Sequence, residues 1–444
     1  MPVVTIGVPA LGNRSHLVHD GTVAVAVDPP RDVAAVERAA EEAGVDLAAV
    51  ADTHVHNDYV SGGLVLARRH GADYLLSADE PVSFERVGVR GGDTLAYGEV
   101  QVEVLSTPGH TRHHQSFLAR VPGEPAALLS GGSLLLGTVG RTDLVDRRLA
   151  LHLAGLQWDS ARSQLGLDPS TVLLPTHGFG SFCAATTVDA GEGATTLADQ
   201  RDHPALGSER AVFAADLVAG FGPIPAYYPR MDPINRSGAG TPRPARPVTA
   251  AQLDAAIAAG RWVVDVRERA AHAAGHLAGT VGVEYSDQLA TYVGWLVPWG
   301  AELLLLSDRP EQLEPATRDL AGIGIEGVGV HQLDPGRPLE ATYRRADWPA
   351  YAEERARTTP VVVDVRQRDE YAEGHLPGAI HVPVQDVERS AASLPPGELW
   401  VHCKSGYRAG IAASLLHRHD RQVVHLDDQW VRVAELGLPV TRAA

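Results

Sequence analysis

Two stretches of this 444-residue chain are near copies of one another, and that repeat constrains the fold more than any single motif. WVVDVRERAAHAAGHLAGTVGV begins at Trp262, and VVVDVRQRDEYAEGHLPGAIHV begins at Val361. In each copy 11 residues separate the aspartate (Asp265, Asp364) from the histidine (His276, His375). A second pair of anchors follows in register, ELLLLSD from Glu302 and ELWVHCK from Glu398. Each repeat is therefore an α/β unit of about 100 residues, and the two meet in the Arg/Ala-rich segment 342–359.

Ahead of the repeats the pattern is of another kind. Residues 3–8, 23–27, 47–52, 74–77, 100–106, 116–119, 126–129 and 172–175 are short, Val- and Leu-rich runs that read as strands. Residues 32–43, 62–70, 144–165 and 208–219 read as helices. Strands followed by helices, with hairpin-like runs, predict a layered α/β domain. Residues 222–248 hold seven prolines, which predicts an extended linker laid as a strap on the first domain. Tyr227, Tyr228, Arg230 and Arg236 make it richer than a spacer requires. The expected organisation is a domain over 1–221, the strap over 222–248, and repeats over 249–341 and 342–444.

Composition narrows the partners. A net charge of -17 argues against nucleic acid or an anionic membrane as the main partner. The most apolar stretch, 293–306, is broken by Pro298 and Glu302, so no membrane span is expected. The N-terminus shows no basic region ahead of an apolar one, and two cysteines cannot build a disulfide framework. A reducing cytoplasm is the expected compartment.

One of those cysteines heads a loop. WVHCKSGYRAG, Trp400 to Gly410, reads as a strand, a six-residue loop and a helix start. Backbone N–H groups converging at a helix N-terminus stabilise an anion, so Cys403 is expected to ionise readily and act as a nucleophile. Lys404, the chain's single lysine, and Arg408 add positive charge. Ser405, Gly406 and Tyr407 complete the loop, with Gly406 allowing its curvature. In the first repeat Ser307 stands where Cys403 does, followed by Asp308, Arg309 and Pro310, and no such loop follows. That repeat reads as catalytically silent.

Histidines gather at three predicted strand ends: Asp52-Thr53-His54-Val55-His56-Asn57-Asp58-Tyr59, then Pro108-Gly109-His110-Thr111, then Thr176-His177-Gly178. Side chains two apart at a strand end project to one side, and three such ends converging predict a metal site.

These motifs resemble known families. DVR followed by GHLPGA, the CKSGYR loop and the closing DDQWVRVAELGLPV resemble rhodanese domains from about Thr249 onward. The resemblance implies sulfurtransferase activity, with Cys403 carrying the sulfur and Lys404 to Arg408 as its cradle. HxHxD, PGHT and THG resemble the metallo-β-lactamase superfamily. Within it, GRTD (Gly140 to Asp143) and HGFGSFC (His177 to Cys183) resemble persulfide dioxygenases fused to two rhodanese repeats. That implies an αββα sandwich followed by two rhodanese-like α/β domains, and iron(II) that oxidises a low-molecular-weight persulfide.

Two positions depart from the family. Tyr59 stands where HxHxDH ends in histidine, and Gly132 stands where a carboxylate ligand precedes Arg141 by nine residues. His56 would then complete a three-histidine set with His54 and His110, while Asp58, His113 and His114 offer further donors. Arg141 would fix its loop or an anionic substrate, or pair with Asp143. Cys183 would relay sulfur at the site mouth or fill the interior. The expected function is persulfide oxidation to sulfite coupled to sulfur exchange through Cys403. The small partners would be a persulfide or thiol and thiosulfate or sulfite, and a homo-oligomer stays open. Two alternatives stay open as well. One is a metal-free scaffold with sulfurtransferase activity alone, and the other is a zinc thioester hydrolase of glyoxalase II type.

Overall fold

The computed structural model describes residues 2–178, 182–184 and 195–442. The chain divides into two compact units, Met1–Pro242 with Ala321–Gly324, and Arg243–Leu320 with Ile325–Ala444.

The first unit holds two six-stranded sheets. One runs in the order Val3–Val8, Asn13–His19, Val23–Val27, Asp46–Ala51, Asp73–Ser77 and Val87–Val89. Its first three strands are antiparallel and the rest parallel. The other runs Thr195–Thr196, Val172–Pro175, Ala127–Gly131, Gln115–Arg120, Val100–Ser106 and Thr94–Tyr97. Strand alternation divides the apolar side chains between two faces. Val25, Val27, Ala49 and Ala51 of the first sheet meet Val100, Val102, Val104 and Phe117 of the second in one buried core. Ala24, Ala26, Leu47 and Val50 turn the other way, to Val36, Ala40, Leu64 and Leu66 of helices Ala34–Ala43 and Gly63–His70. On the far side, Leu118, Leu128 and Leu173 pack with Ala161 and Phe213 of helices Ala150–Leu165 and Arg210–Ala219. The result is an αββα sandwich.

The proline-rich segment differs from its expected extended form, because Tyr228–Ser237 is helical. Proline is tolerated in the first helical turn, where its missing N–H had no partner to lose. Pro233 lies inside the helix and removes one internal bond, which packing offsets: Tyr227, Tyr228 and Met231 are buried. The Asn235 amide donates to the carbonyls of His56 (2.9 Å) and Tyr59 (2.8 Å) and accepts from the Ser61 N–H (2.9 Å). The strap thus braces the loop that carries the first histidines. The helix expected over 144–165 is likewise split into a short 3-10 turn, Arg147–Leu149, and Ala150–Leu165. Among the described residues no helix is long and apolar enough to cross a membrane.

The second unit contains two five-stranded parallel sheets with the same strand order. The first runs Arg246–Pro247, Gly329–Gln332, Leu303–Ser307, Trp262–Asp265 and Val281–Gly282. The second runs Arg344–Ala346, Val423–Leu426, Leu399–His402, Val361–Asp364 and Ile380–His381. The shared DVR motif does the same work in both. Arg267 forms a buried pair with Asp265 (2.6 Å) and donates to the Gly275 carbonyl (2.9 Å). Arg366 repeats this with Asp364 (2.6 Å) and Gly374 (2.7 Å). Helix Tyr407–Arg418 packs against the first repeat, where the Gly282 N–H donates to the Ser414 hydroxyl at 3.0 Å. Gly410 permits this approach, since a Cβ there would stand 3.3 Å from the Arg269 side chain.

Asp364→Ala leaves the Arg366 guanidinium buried and unpaired, and urea denaturation should show a loss of about 3–5 kcal/mol. Burial holds His16, His276 and His402 down to about 4, so all three are neutral in the folded chain at pH 5. Once unfolded they take protons near 6.5, so acid favours the unfolded chain. His56, whose imidazole the Asp28 carboxylate raises against burial, and Asp52, which burial pushes up to about 6, act in the opposite sense. The thermal midpoint should fall from about pH 6.5 toward about pH 4 as the three buried imidazoles outweigh these two groups.

Candidate metal centre and cysteine loop

In the first unit the three strand-end motifs do converge. One ligand atom from each of His54, His110 and His177 lies within 4.8 Å of the others, and all three rings are fully buried. What each ring's Nδ1 does fixes its tautomer. The Thr53 hydroxyl donates its single proton to Asp28 Oδ2 (2.8 Å), so at 2.9 Å from His54 Nδ1 it can only accept. His110 Nδ1 lies 2.8 Å from the Arg141 carbonyl, which only accepts. His177 Nδ1 faces Asn13 Oδ1 (3.0 Å) and Asp58 Oδ2 (3.3 Å), both acceptors. All three Nδ1 atoms therefore carry the proton, which leaves three bare Nε2 lone pairs. None of these Nε2 atoms has a hydrogen-bond partner among the described residues. Burial pushes His54 well below its usual range and, with the neighbouring His177, takes His110 down to about 3. Buried imidazole nitrogens that converge without partners are what a metal ion requires.

His56 does not join that trio. Its Nε2 faces Asp28 Oδ1 (3.2 Å) and the Tyr59 hydroxyl (2.9 Å), which itself donates to the Asp28 carbonyl (3.2 Å). Burial lowers the His56 imidazole, but Asp28, Asp52 and Asp58 outweigh it and the net direction is upward. A ring held toward its charged form by carboxylates is a poor ligand at that nitrogen. Its other groupings, with Asp58 and His177 or with Asp28 and Asp52, also place a carboxylate against it. Among the described residues the expected set of His54, His56 and His110 is not one of the convergent groups, whereas His54, His110 and His177 are; His56 keeps a buried Nδ1 without a partner.

Gly132 is sterically required as the site stands. A Cβ there would lie 2.2 Å from His110 Cδ2 and 2.6 Å from its Nε2. The Gly132 N–H donates to His114 Nε2 (3.1 Å), and His114 Nδ1 pairs with the Thr107 hydroxyl (2.8 Å). His114 is therefore a packing residue stacked on His54, with ring centroids 4.9 Å apart, and His113 is half-buried at the loop edge. Arg141 is buried and bidentate with Asp143 (2.7 and 2.9 Å), and it also donates to the carbonyls of Gly222 (2.8 Å) and Phe182 (3.4 Å). It fixes the loop. Cys183 is buried, with Sγ 3.9 Å from the Tyr228 hydroxyl, and Phe179, Gly180 and Ser181 of the HGFGSFC run lie outside the described residues.

In the second unit Cys403 follows strand Leu399–His402, and the Gly406 N–H donates to its Sγ at 3.2 Å. Gly406 sits at φ 89 as the helix cap, and a Cβ there would be 2.1 Å from Asp427 Oδ1, so only glycine fits. Lys404 is exposed and Ser405 half-buried, while the Lys404 carbonyl accepts from the Trp430 N–H (2.8 Å). Arg408 forms a bidentate pair with Glu370 (2.5 and 2.8 Å), and the Tyr407 hydroxyl donates to the Glu284 carbonyl (2.8 Å). In the first repeat Ser307 donates to Gln312 (2.8 Å) and accepts from the Arg309 N–H (3.0 Å), so its hydroxyl serves the local turn.

Sequence reasoning quoted the THG motif yet left His177 out of the ligand set. Three strand-end histidines were themselves the signal for it. Asn13 carried none, since a lone asparagine on an edge hairpin has no distinguishing spacing.

An αββα sandwich with a histidine centre, on one chain with paired α/β repeats, defines a metallo-β-lactamase fold joined to a rhodanese-like fold. The rhodanese-like domain family matches residues 349–435. The hydroxyacylglutathione hydrolase of Thiobacillus denitrificans (strain ATCC 25259 / T1) is 30% identical over 204 residues, covering 45% of this chain and 75% of that protein. That of Synechococcus sp. (strain JA-3-3Ab) is 35% identical over 139 residues, 30% of this chain. The chain spans only 54%, 66% and 52% of the length of three such relatives. Among solved structures, a metallo-beta-lactamase from Staphylococcus aureus subsp. aureus COL shares 25% identity at TM-score 0.65, covering 74% of this chain and 98% of its own. Through its N-terminal region the chain belongs to the metallo-β-lactamase-fold family that includes the hydroxyacylglutathione hydrolases, and it carries a rhodanese-like domain at 349–435.

His54→Ala, His110→Ala and His177→Ala should each abolish binding of cobalt(II), followed by its absorbance. Asn13→Ala, which removes the acceptor that orients His177, should weaken that binding by about 10–100-fold.

Proposed function

We propose that the chain oxidises a low-molecular-weight persulfide in its first unit and passes sulfane sulfur through Cys403 in its second. The observation that carries the first half is the trio of buried imidazoles, His54, His110 and His177, each held through its Nδ1 with Nε2 unpartnered among the described residues. Imidazole suits iron and zinc alike, and an all-nitrogen neutral set leaves a divalent ion's charge uncompensated by protein. Such a site favours an anionic ligand, and a persulfide anion is one. Iron(II) held by these three histidines would supply the redox chemistry by which persulfide, dioxygen and water become thiol and sulfite.

The chain's own residues bind and orient. Thr53, the Arg141 carbonyl and the Asn13–Asp58 pair hold the rings in one tautomer. Tyr59 closes its hydroxyl on His56, and Gly132 offers no bridging carboxylate. Both features oppose a second ion and with it a two-metal hydrolytic mechanism. In the second unit the Cys403 thiolate attacks the outer sulfur of thiosulfate, the S–S bond breaks, and sulfite leaves. The product is a persulfide anion on Cys403, beside the Gly406 N–H that already faces Sγ. A small thiol accepting that sulfur restores the thiolate. A reducing compartment is part of the same proposal, because the Cys403 thiolate has to persist there.

The names of the curated relatives favour a second reading, hydrolysis of a glutathione thioester, for which two zinc ions would be the metal content. Metal analysis of anaerobically purified protein, paired with oxygen uptake on glutathione persulfide, separates the two. One iron per chain with oxygen consumption supports the proposal, and two zincs with thioester turnover overturn it. Metal-free protein that consumes no oxygen also overturns it and leaves a scaffold. Cys403→Ser should abolish thiosulfate-dependent sulfur transfer and leave oxygen uptake intact, whereas loss of both would contradict separate sites.

A further inference from the structure

Cys403 is only 1% exposed, and two of the polar groups expected to serve it are engaged elsewhere. Arg408 is held by Glu370, and the Tyr407 hydroxyl is turned to the Glu284 carbonyl in the first repeat. The loop's own N–H of Gly406 is the hydrogen bond the thiol receives among the described residues. An anionic sulfur or a thiosulfate oxygen there needs a further donor.

The cysteine-free repeat brings a phenol against the ring of Tyr407 in the cysteine loop. Its helix Leu289–Leu296 packs against the turn Val384–Asp386 of the second repeat. From that helix the Tyr292 ring meets the Tyr407 ring with centroids 5.7 Å apart. Tyr292 is 8% exposed, and its hydroxyl, which makes no hydrogen bond among the described residues, keeps the solvent access that the fully buried unpartnered atoms lack. Burial, answered in part by Arg408 and reinforced by Cys403, pushes that phenol up to about 12, so it stays protonated and able to donate at neutral pH.

The same repeat secures the other side of the loop. Arg269 bridges Glu284 (2.6 Å) and Asp427 (2.8 Å), and Asp427 is the residue packed against Gly406 at the helix cap. The charged groups around the thiol are thus Lys404, the Arg408–Glu370 pair, and Asp427 with Arg269 and Glu284 behind it.

We propose that Tyr292 of the cysteine-free repeat is a substrate-binding residue of the Cys403 site, its phenol donating a hydrogen bond to the anionic sulfur or sulfonate oxygen of thiosulfate. The proposal rests on the sulfurtransferase reading and extends it. A repeat that has lost its own cysteine is retained because it completes the neighbour's pocket.

Tyr292→Phe in the full chain tests this, because it keeps the ring packing and removes only the hydroxyl. Thiosulfate KM should rise about fivefold, the worth of one hydrogen bond, with the thermal midpoint unchanged. Alkylation of the Cys403 peptide by iodoacetamide at neutral pH, read by mass spectrometry, should slow by a similar factor. That second arm needs no turnover. Wild-type protein that moves no sulfur from thiosulfate would end the sulfurtransferase reading, while the alkylation rates would still decide the position of Tyr292. A variant with wild-type KM and wild-type alkylation overturns the proposal.

Discussion

The first unit depends on the buried carboxylate of Asp28. Its backbone lies at φ 53, a left-handed conformation that aspartate adopts more readily than most residues. From there it accepts from the Thr53 N–H (2.7 Å) and hydroxyl (2.8 Å), from the Thr176 hydroxyl, and from His56 Nε2 (3.2 Å). Thr53 follows one sheet's strand Asp46–Ala51, and Thr176 ends the other sheet's strand Val172–Pro175. One carboxylate therefore pins both sheets at the edge where the histidines emerge. Burial alone would raise this acid, but the His56 charge and these hydrogen bonds hold it at about 2. An ionised Asp28 fixes the Thr53 proton, the Thr53 proton fixes the His54 tautomer, and the His54 lone pair is thereby left free.

That chain of dependence explains what was legible in the sequence. Strands 3–8, 23–27, 100–106 and 172–175 were readable to the residue because they are apolar, β-branched and bounded by turn residues. Asn13–His19 was not, because NRSHLVH has no apolar alternation, and its polar members Asn13, Ser15 and His16 are buried by tertiary hydrogen bonds. The helix in the strap was hidden for a related reason. Local propensity of YPRMDPINRS is poor, and burial of Tyr228 and Met231 with the Asn235 contacts decides the outcome. Motif spacing identified which histidines approach one another. It could not identify which nitrogen each presents, since that is set by Asn13, Thr53 and a backbone carbonyl far off in sequence.

The second unit shows how much of a repeat is scaffold and how little is site. Both copies keep the Asp–Arg pair and its bond to the carbonyl before the histidine, with distances that agree within a few tenths of an ångström. Each histidine strand closes the same way, His276 bridged to Ala341 and His375 to Thr441. These buried pairs belong to the frame that both repeats share, so sequence identity between repeats tracks the frame. At the position itself the copies part. Ser307 leads into a short 3-10 turn at Pro310–Gln312, whereas Cys403 leads to a helix whose glycine cap donates its own N–H to the sulfur.

The two centres answer one chemical problem by different means, since the proposed reaction in each handles a sulfur anion. In the first unit the protein supplies no formal negative charge at the convergent nitrogens, and it carries the nearby carboxylates Asp28, Asp52 and Asp58 on His56, Tyr74, His177 and Asn13. Asp52 shows the effect of weaker compensation: burial, set against His56, pushes it up to about 6, while Asp28, better hydrogen-bonded, stays low. In the second unit the cationic Arg408 is neutralised by Glu370, and the sulfur is met by a backbone N–H beside a helix N-terminus. Backbone and neutral donors hold an anion without competing for it as a fixed carboxylate would, and they need no reorganisation when the charge appears. Glycine at positions 132 and 406 answers the same steric constraint, since a Cβ would press on His110 in one case and on Asp427 in the other.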